Sequence, residues 1–181
     1  MTKSVTLVPL RCLRCETPLP AGRDEIAWSC GKCGQGLLLD PPSGLVPLEI
    51  HYSASFTPDQ TGKPYWVTKG RVTVERETYG GTSGRIQQEV ETFWGLDRVF
   101  VIPAFSATLE EMQSVAVNYL RQPPNLQEGP PLRFDPVTLY PDDLRAMVQF
   151  VVLAVEADRK DKLRSLDVEV DLQPPVLWIL P

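Results

Sequence analysis

Histidine is all but missing from this chain: its 181 residues contain one, His51. Hydrolytic chemistry of the imidazole kind therefore has to run through that side chain, which would need a serine or a well-placed acid beside it. Positive charge is also scarce. Eighteen Lys and Arg against 23 Asp and Glu leave a net charge of −5, whereas a general binder of polyanions needs clustered basic residues. Residues 1–40 hold five basic side chains (Lys3, Arg11, Arg14, Arg23, Lys32) and four acidic ones (Glu16, Asp24, Glu25, Asp40), so neither they nor the acidic remainder form a basic patch. Long apolar runs are absent as well. The longest, "AMVQFVVLAV" over 146–155, has ten residues where a bilayer span needs about 20. "MTKSVTLVPL" lacks the apolar stretch and small-residue cleavage site of a secretory signal. A cytoplasmic location without a membrane span is expected.

Proline, by contrast, is abundant. Its 18 copies are about twice the usual share and divide the chain into short elements with stiff connections. Apolar content of 43% is that of an ordinary globular protein, and the length suits one well-buried domain with a small appendage.

All four cysteines fall in "CLRCETPLPAGRDEIAWSCGKCGQ". Cys12 and Cys15 form one C-x2-C pair, Cys30 and Cys33 another, and fourteen residues separate them. Two residues inside each pair let a tight turn aim both sulfurs at one point, and the interval between pairs is near that of a four-cysteine zinc site. In a reducing compartment paired thiols are more often metal ligands than disulfides. Pro18, Pro20 and Gly22 supply the turn that brings the pairs together, and "EIAWS" is expected as a short strand leading into the second. Gly31 and Gly34 suit a chain wrapped around sulfur, where left-handed backbone is often needed; the first pair has Leu13 and Glu16 instead. Rubredoxin-type iron is a weaker reading, because only Trp28 lies between the pairs. A redox dithiol ranks lower still, since neither pair opens a helix that would depress a thiol pKa.

The segment over about 5–40 resembles the zinc ribbon, a small rubredoxin-like β module in which two cysteine knuckles at hairpin tips hold one structural zinc ion. The resemblance implies Cys12, Cys15, Cys30 and Cys33 as the metal ligands, with no open coordination position. Arg11, Arg14 and Lys32 would then offset the charge of the thiolate cluster. Replacing Cys30 or Cys33 is expected to release the metal and unfold residues 1–40 alone.

After "DPPSGLVP", taken as a linker over 41–47, residues 48–181 are expected as one α+β domain, an antiparallel-rich sheet of about six strands with two packed helices. "EIHYSASF" alternates as a half-buried strand with Ile50, Tyr52, Ala54 and Phe56 inward. "RVTVERETYGGTSGRIQQEVETFW" is expected as two strands joined at Gly80–Gly84, placing Ile86, Val90 and Trp94 on one face. In that setting Gly80, Gly81 and Gly84 do not lie between a strand and a helix start, as a phosphate cradle requires. "RVFVIPAF" has the uniform apolarity of a central strand. Thr108 and Glu111 form a capping box ahead of a helix ending before Pro123. The proline-rich stretch 121–141 has no periodicity and is long for a connection, so it is either functional or laid along a surface. A second helix starts at Pro141, where Asp142 and Asp143 are explained by the helix dipole without a metal. "EADRKDKLR" is expected as a solvated exit, "LDVEVDL" as an alternating strand, and "VLWILP" as a buried run belonging to the core or to an interface.

No catalytic constellation emerges, and the chain is expected to be a non-catalytic adaptor or accessory subunit that binds protein partners in a larger cytosolic complex. Association with nucleic acid, by analogy with other zinc ribbons, is the alternative, followed by an enzyme using carboxylates of the main domain.

Overall fold

A computed structural model describes residues 7–57, 59–81 and 83–181. Residues 5 and 6, at the start of the expected ribbon, and Thr82 of the glycine turn lie outside them. The fold is α+β and antiparallel-rich. Strands β1 (Ala27–Ser29), β2 (Gly36–Asp40) and β3 (Gly44–Leu48) make a small antiparallel sheet in that order. The "linker" is thus a turn and most of an edge strand; Pro47 pairs with Leu37 at that edge, where a missing N–H is tolerated.

The main sheet contains β4 (Ile50–Tyr52), β5 (Lys63–Thr78), β6 (Arg98–Pro103), β7 (Leu163–Leu172) and β8 (Val176–Leu180). The sixteen-residue β5 organises it: β6 pairs along one side, while β8 and then β7 share the other. One face of β5 carries Trp66, Val72 and Val74 into the main core. The opposite face buries Tyr65 and Val67 in a second core with Trp178 and Leu180, then turns to solvent from Lys69 onward. The C-terminal run is a core strand. β8 lies between β4, parallel to it, and β5, antiparallel, and alternates Leu177 and Ile179 into one core with Trp178 and Leu180 into the other.

Three helices pack on this frame: α1 (Gly84–Trp94), α2 (Leu109–Arg121) and α3 (Leu144–Ala157), the last entered through a 3-10 turn at Pro141–Asp143. The expected strand over 85–94 is α1. Ile86, Val90 and Trp94 are four residues apart, a spacing that keeps side chains on one face of a strand and of a helix alike. Ser83 decides the matter by accepting from the N–H of Ile86, and the Gln and Glu residues between favour helix. The capping box of Thr108 and Glu111 is formed as expected.

β6 is an edge strand by its hydrogen bonds, not a central one. It is buried because α2 covers it, sending Ala116 and Leu120 to the main core and Val115 and Tyr119 to the second. β4 is shorter than expected. After Tyr52 the chain leaves the sheet to bond the proline-rich segment, Ala54 N–H to Gln127 and Gly129 N–H to the carbonyl of Tyr52. That segment is a strap along the molecule, bonded in turn to β4, Gly62, Ile26 and Ala104. Gly129 permits the contact: a Cβ there would lie 2.7 Å from the main chain of Ala54. Among the described residues no helix is long and apolar enough to cross a membrane.

Candidate metal centre

The two cysteine knuckles are built alike. The N–H of Cys12 bonds the carbonyl of Thr17 and the N–H of Glu16 returns to Cys12; five and four residues after Cys30, Gln35 and Gly34 do the same. The chains flanking them pair at corresponding positions, Arg11 with Pro18 and Ser29 with Gly36. Each turn needs left-handed backbone at its fifth residue, met by Gly34 at φ 72° and by Glu16 at φ 58°. For glutamate that conformation costs about 1 kcal/mol.

Facing one another, the turns gather the four sulfurs within 4.8 Å. Cys12 lies 3.5 Å from Cys33, and Cys15 lies 3.5 Å from Cys30, each thiol meeting one from the other turn. All four are free. A tetrahedron with metal–sulfur bonds of about 2.3 Å has edges of roughly 3.8 Å, so these separations fit a single four-coordinate ion. Among the described residues this is the only group of three or more potential ligands; Asp142 and Asp143 stand exposed at the start of α3.

Two neighbours that sequence reasoning passed over complete the site. Thr17 Oγ1 is 3.2 Å from Cys15 Sγ, and Gln35 Oε1 is 3.1 Å from Cys12 Sγ. Their signal was the shared offset of five residues from the first cysteine of each pair. Hydrogen bonds from the side chain and main chain of Thr17 lower the Cys15 thiol to about 6, and the N–H groups of Cys33 and Lys32 lower that of Cys30. At Cys33 the N–H of Gln35 pulls downward, but burial and the surrounding thiols push the pKa up to about 11.

Packing anchors the site on one side of the small sheet. Trp28, Leu37 and Leu19 bury Cys12 and Cys30, while Ala27 and Leu38 on the other side join the main core. Leu37, Leu38 and Leu39 follow one another in β2 because both of its faces are covered.

The remaining candidates are engaged elsewhere. His51 has its Nδ1 2.7 Å from Glu128 and its Nε2 3.3 Å from Glu49, and its ring stacks on Trp178. The glycine loop does lie between a strand and a helix, contrary to expectation, but Ser83 already caps that helix. "EADRKDKLR" is a solvated exit only in part: Asp158, Lys160, Lys162 and Arg164 are exposed, but its first residue is not. Glu156 is completely buried, accepting from Trp94 Nε1 and Arg159 Nε at 2.8 Å each, with Arg76 Nε 3.2 Å away. Asp161 takes two hydrogen bonds from Arg76, at 2.7 and 3.0 Å.

Comparison with protein-family models, with curated proteins and with solved structures finds no match to this chain.

Proposed function

We propose that Cys12, Cys15, Cys30 and Cys33 hold one structural zinc ion in a zinc-ribbon module, and that the protein is a non-catalytic adaptor or accessory subunit. The observation that carries the metal assignment is the pair of matching knuckles whose four sulfurs converge within 4.8 Å. Four thiolates complete a tetrahedral shell, leaving no position for a water or substrate, which makes the ion a scaffold. Zinc is favoured over iron by the narrow interval between the pairs.

The adaptor reading is supported by how the chain spends its chemistry. Its sole histidine is clamped between two carboxylates, its thiols are gathered in the metal cluster, and its most buried carboxylate is neutralised by arginine. The rigid module and the strap beside it present preformed surface to a partner. Affinity isolation of the intact protein, followed by reconstitution with each purified candidate, tests this reading. A stoichiometric protein complex is expected; a catalytic turnover that depends on residues of the main domain would replace the adaptor assignment.

A further inference from the structure

Between the small sheet and the strap lies a cleft of about 660 Å³, bounded by Trp28 and Ser29 on one side and by Leu132, Arg133 and Phe134 on the other. It exists because two chain segments begin to pair and then part. β1 bridges the strap at Ala27 and Val137 in antiparallel fashion. Continuing that register would bring Ser29 opposite Asp135. Gly62 prevents it, donating to the carbonyl of Arg133 and accepting from the N–H of Asp135, both at 2.9 Å, so the strap bends towards Gly62 and leaves β1 behind.

The edge so exposed is polar. Cys30 bonds Gln35 and Ile26 bonds Leu39 across the hairpin, so Ala27 and Ser29, lying between those pairs, direct their N–H and C=O away from β2. Ala27 uses this direction to meet Val137; among the described residues no strand pairs with Ser29 on that side. Trp28 lies in the same wall: it is 3% exposed, and its Nε1–H has no hydrogen-bond partner among the described residues. A buried donor left unpaired costs about 1–3 kcal/mol. The charged groups of the lining, Glu25 and Arg133, are opposite in sign. An ion of either charge would meet a like charge there, whereas a peptide main chain brings both acceptors and donors. The walls, with Leu132, Phe134 and the indole, favour an apolar side chain.

We infer that this cleft takes an extended, apolar peptide segment of a partner protein, added as a strand to the free edge of β1. The inference rests on the adaptor reading and specifies where the partner docks.

The test uses the full-length, zinc-loaded protein and random decapeptides displayed on phage, followed by titration of the selected synthetic peptide under 15N NMR. The expected result is an apolar peptide that shifts the Trp28 indole N–H and protects the Ser29 amide from exchange. Arg133→Glu and Ser29→Pro should each weaken it about tenfold, with zinc content unchanged; proline at 29 removes the outward N–H together with the hydroxyl that bonds Tyr52. Failure to select a peptide, or binding that leaves Trp28 and Ser29 unperturbed, overturns the proposal. A purified partner protein that binds without touching these signals sinks the cleft and leaves the adaptor reading standing. A peptide that fills the cleft when no partner protein is found does the reverse.

Discussion

Ile26 donates its main-chain N–H to the carbonyl of Val137 at 2.9 Å, tying the strand that enters the second cysteine knuckle to the strap. Ile26 and Ala27 are buried in the same core as Trp66 and Val148, so the cysteine module and the main sheet share apolar contacts. Cys30→Ser is therefore expected to lose the metal, to free the amides of the small sheet to exchange, and also to lower the unfolding temperature of the rest. The first effect alone, with the main sheet melting as in the parent, would mean that the shared core contributes nothing. Calorimetry and hydrogen exchange on the same variant separate the two.

The matched turns make a second prediction. Gly34 has open space where a Cβ would stand, so Gly34→Ala carries only the conformational cost of φ 72°, about 1 kcal/mol. Glu16→Gly relieves the same strain in the other turn, offset in part by the greater freedom of an unfolded glycine. Chelator competition should show weaker metal retention in the first variant and equal or tighter retention in the second.

Removing Glu156 leaves the buried Arg76 guanidinium paired with Asp161 alone and leaves Trp94 Nε1 without its acceptor. Breaking one half of such a buried pair costs about 3–5 kcal/mol, whereas replacing both halves with apolar residues is often neutral. In urea denaturation Glu156→Ala should be severely destabilised. Arg76→Met combined with Glu156→Leu should recover only part of the loss, because it also takes both guanidinium hydrogen bonds from Asp161.

Acid should act on the same network. Hydrogen bonds from Arg76 hold the Asp161 carboxyl below its ordinary value of 3.8. A carboxyl depressed in the folded state contributes stability that is fully present above the unfolded value and is lost as pH falls through the folded one. The urea midpoint of the parent should drop steeply below about pH 4. Asp161→Asn should be less stable at neutral pH and show a shallower acid limb; parallel curves would show that Asp161 is not a coupled group.

How much of this was legible depended on whether the signal was local. The cysteine pairs, the capping box of Thr108 and Glu111 and the alternation over Leu166–Leu172 each carry their meaning within a few residues, and each appears as the sequence suggested. α1 was misread because a four-residue spacing serves both periods, so the cap at Ser83 had to decide. Glu156 looked solvated in a charge-balanced run because its partner, Arg76, is 80 positions away in the chain. The strap gave no periodic signal, since its bonds go to four different parts of the molecule and not to one neighbouring strand. β3 was hidden by Pro47, which an edge strand can hold and a central strand cannot.

Elemental analysis of freshly purified protein, paired with titration of its reactive thiols, addresses the metal assignment most directly. One zinc per chain, with the four thiols unreactive until a chelator removes it, is the predicted result. Protein with no stoichiometric metal, or with Cys12, Cys15, Cys30 and Cys33 joined as disulfides, would contradict the account.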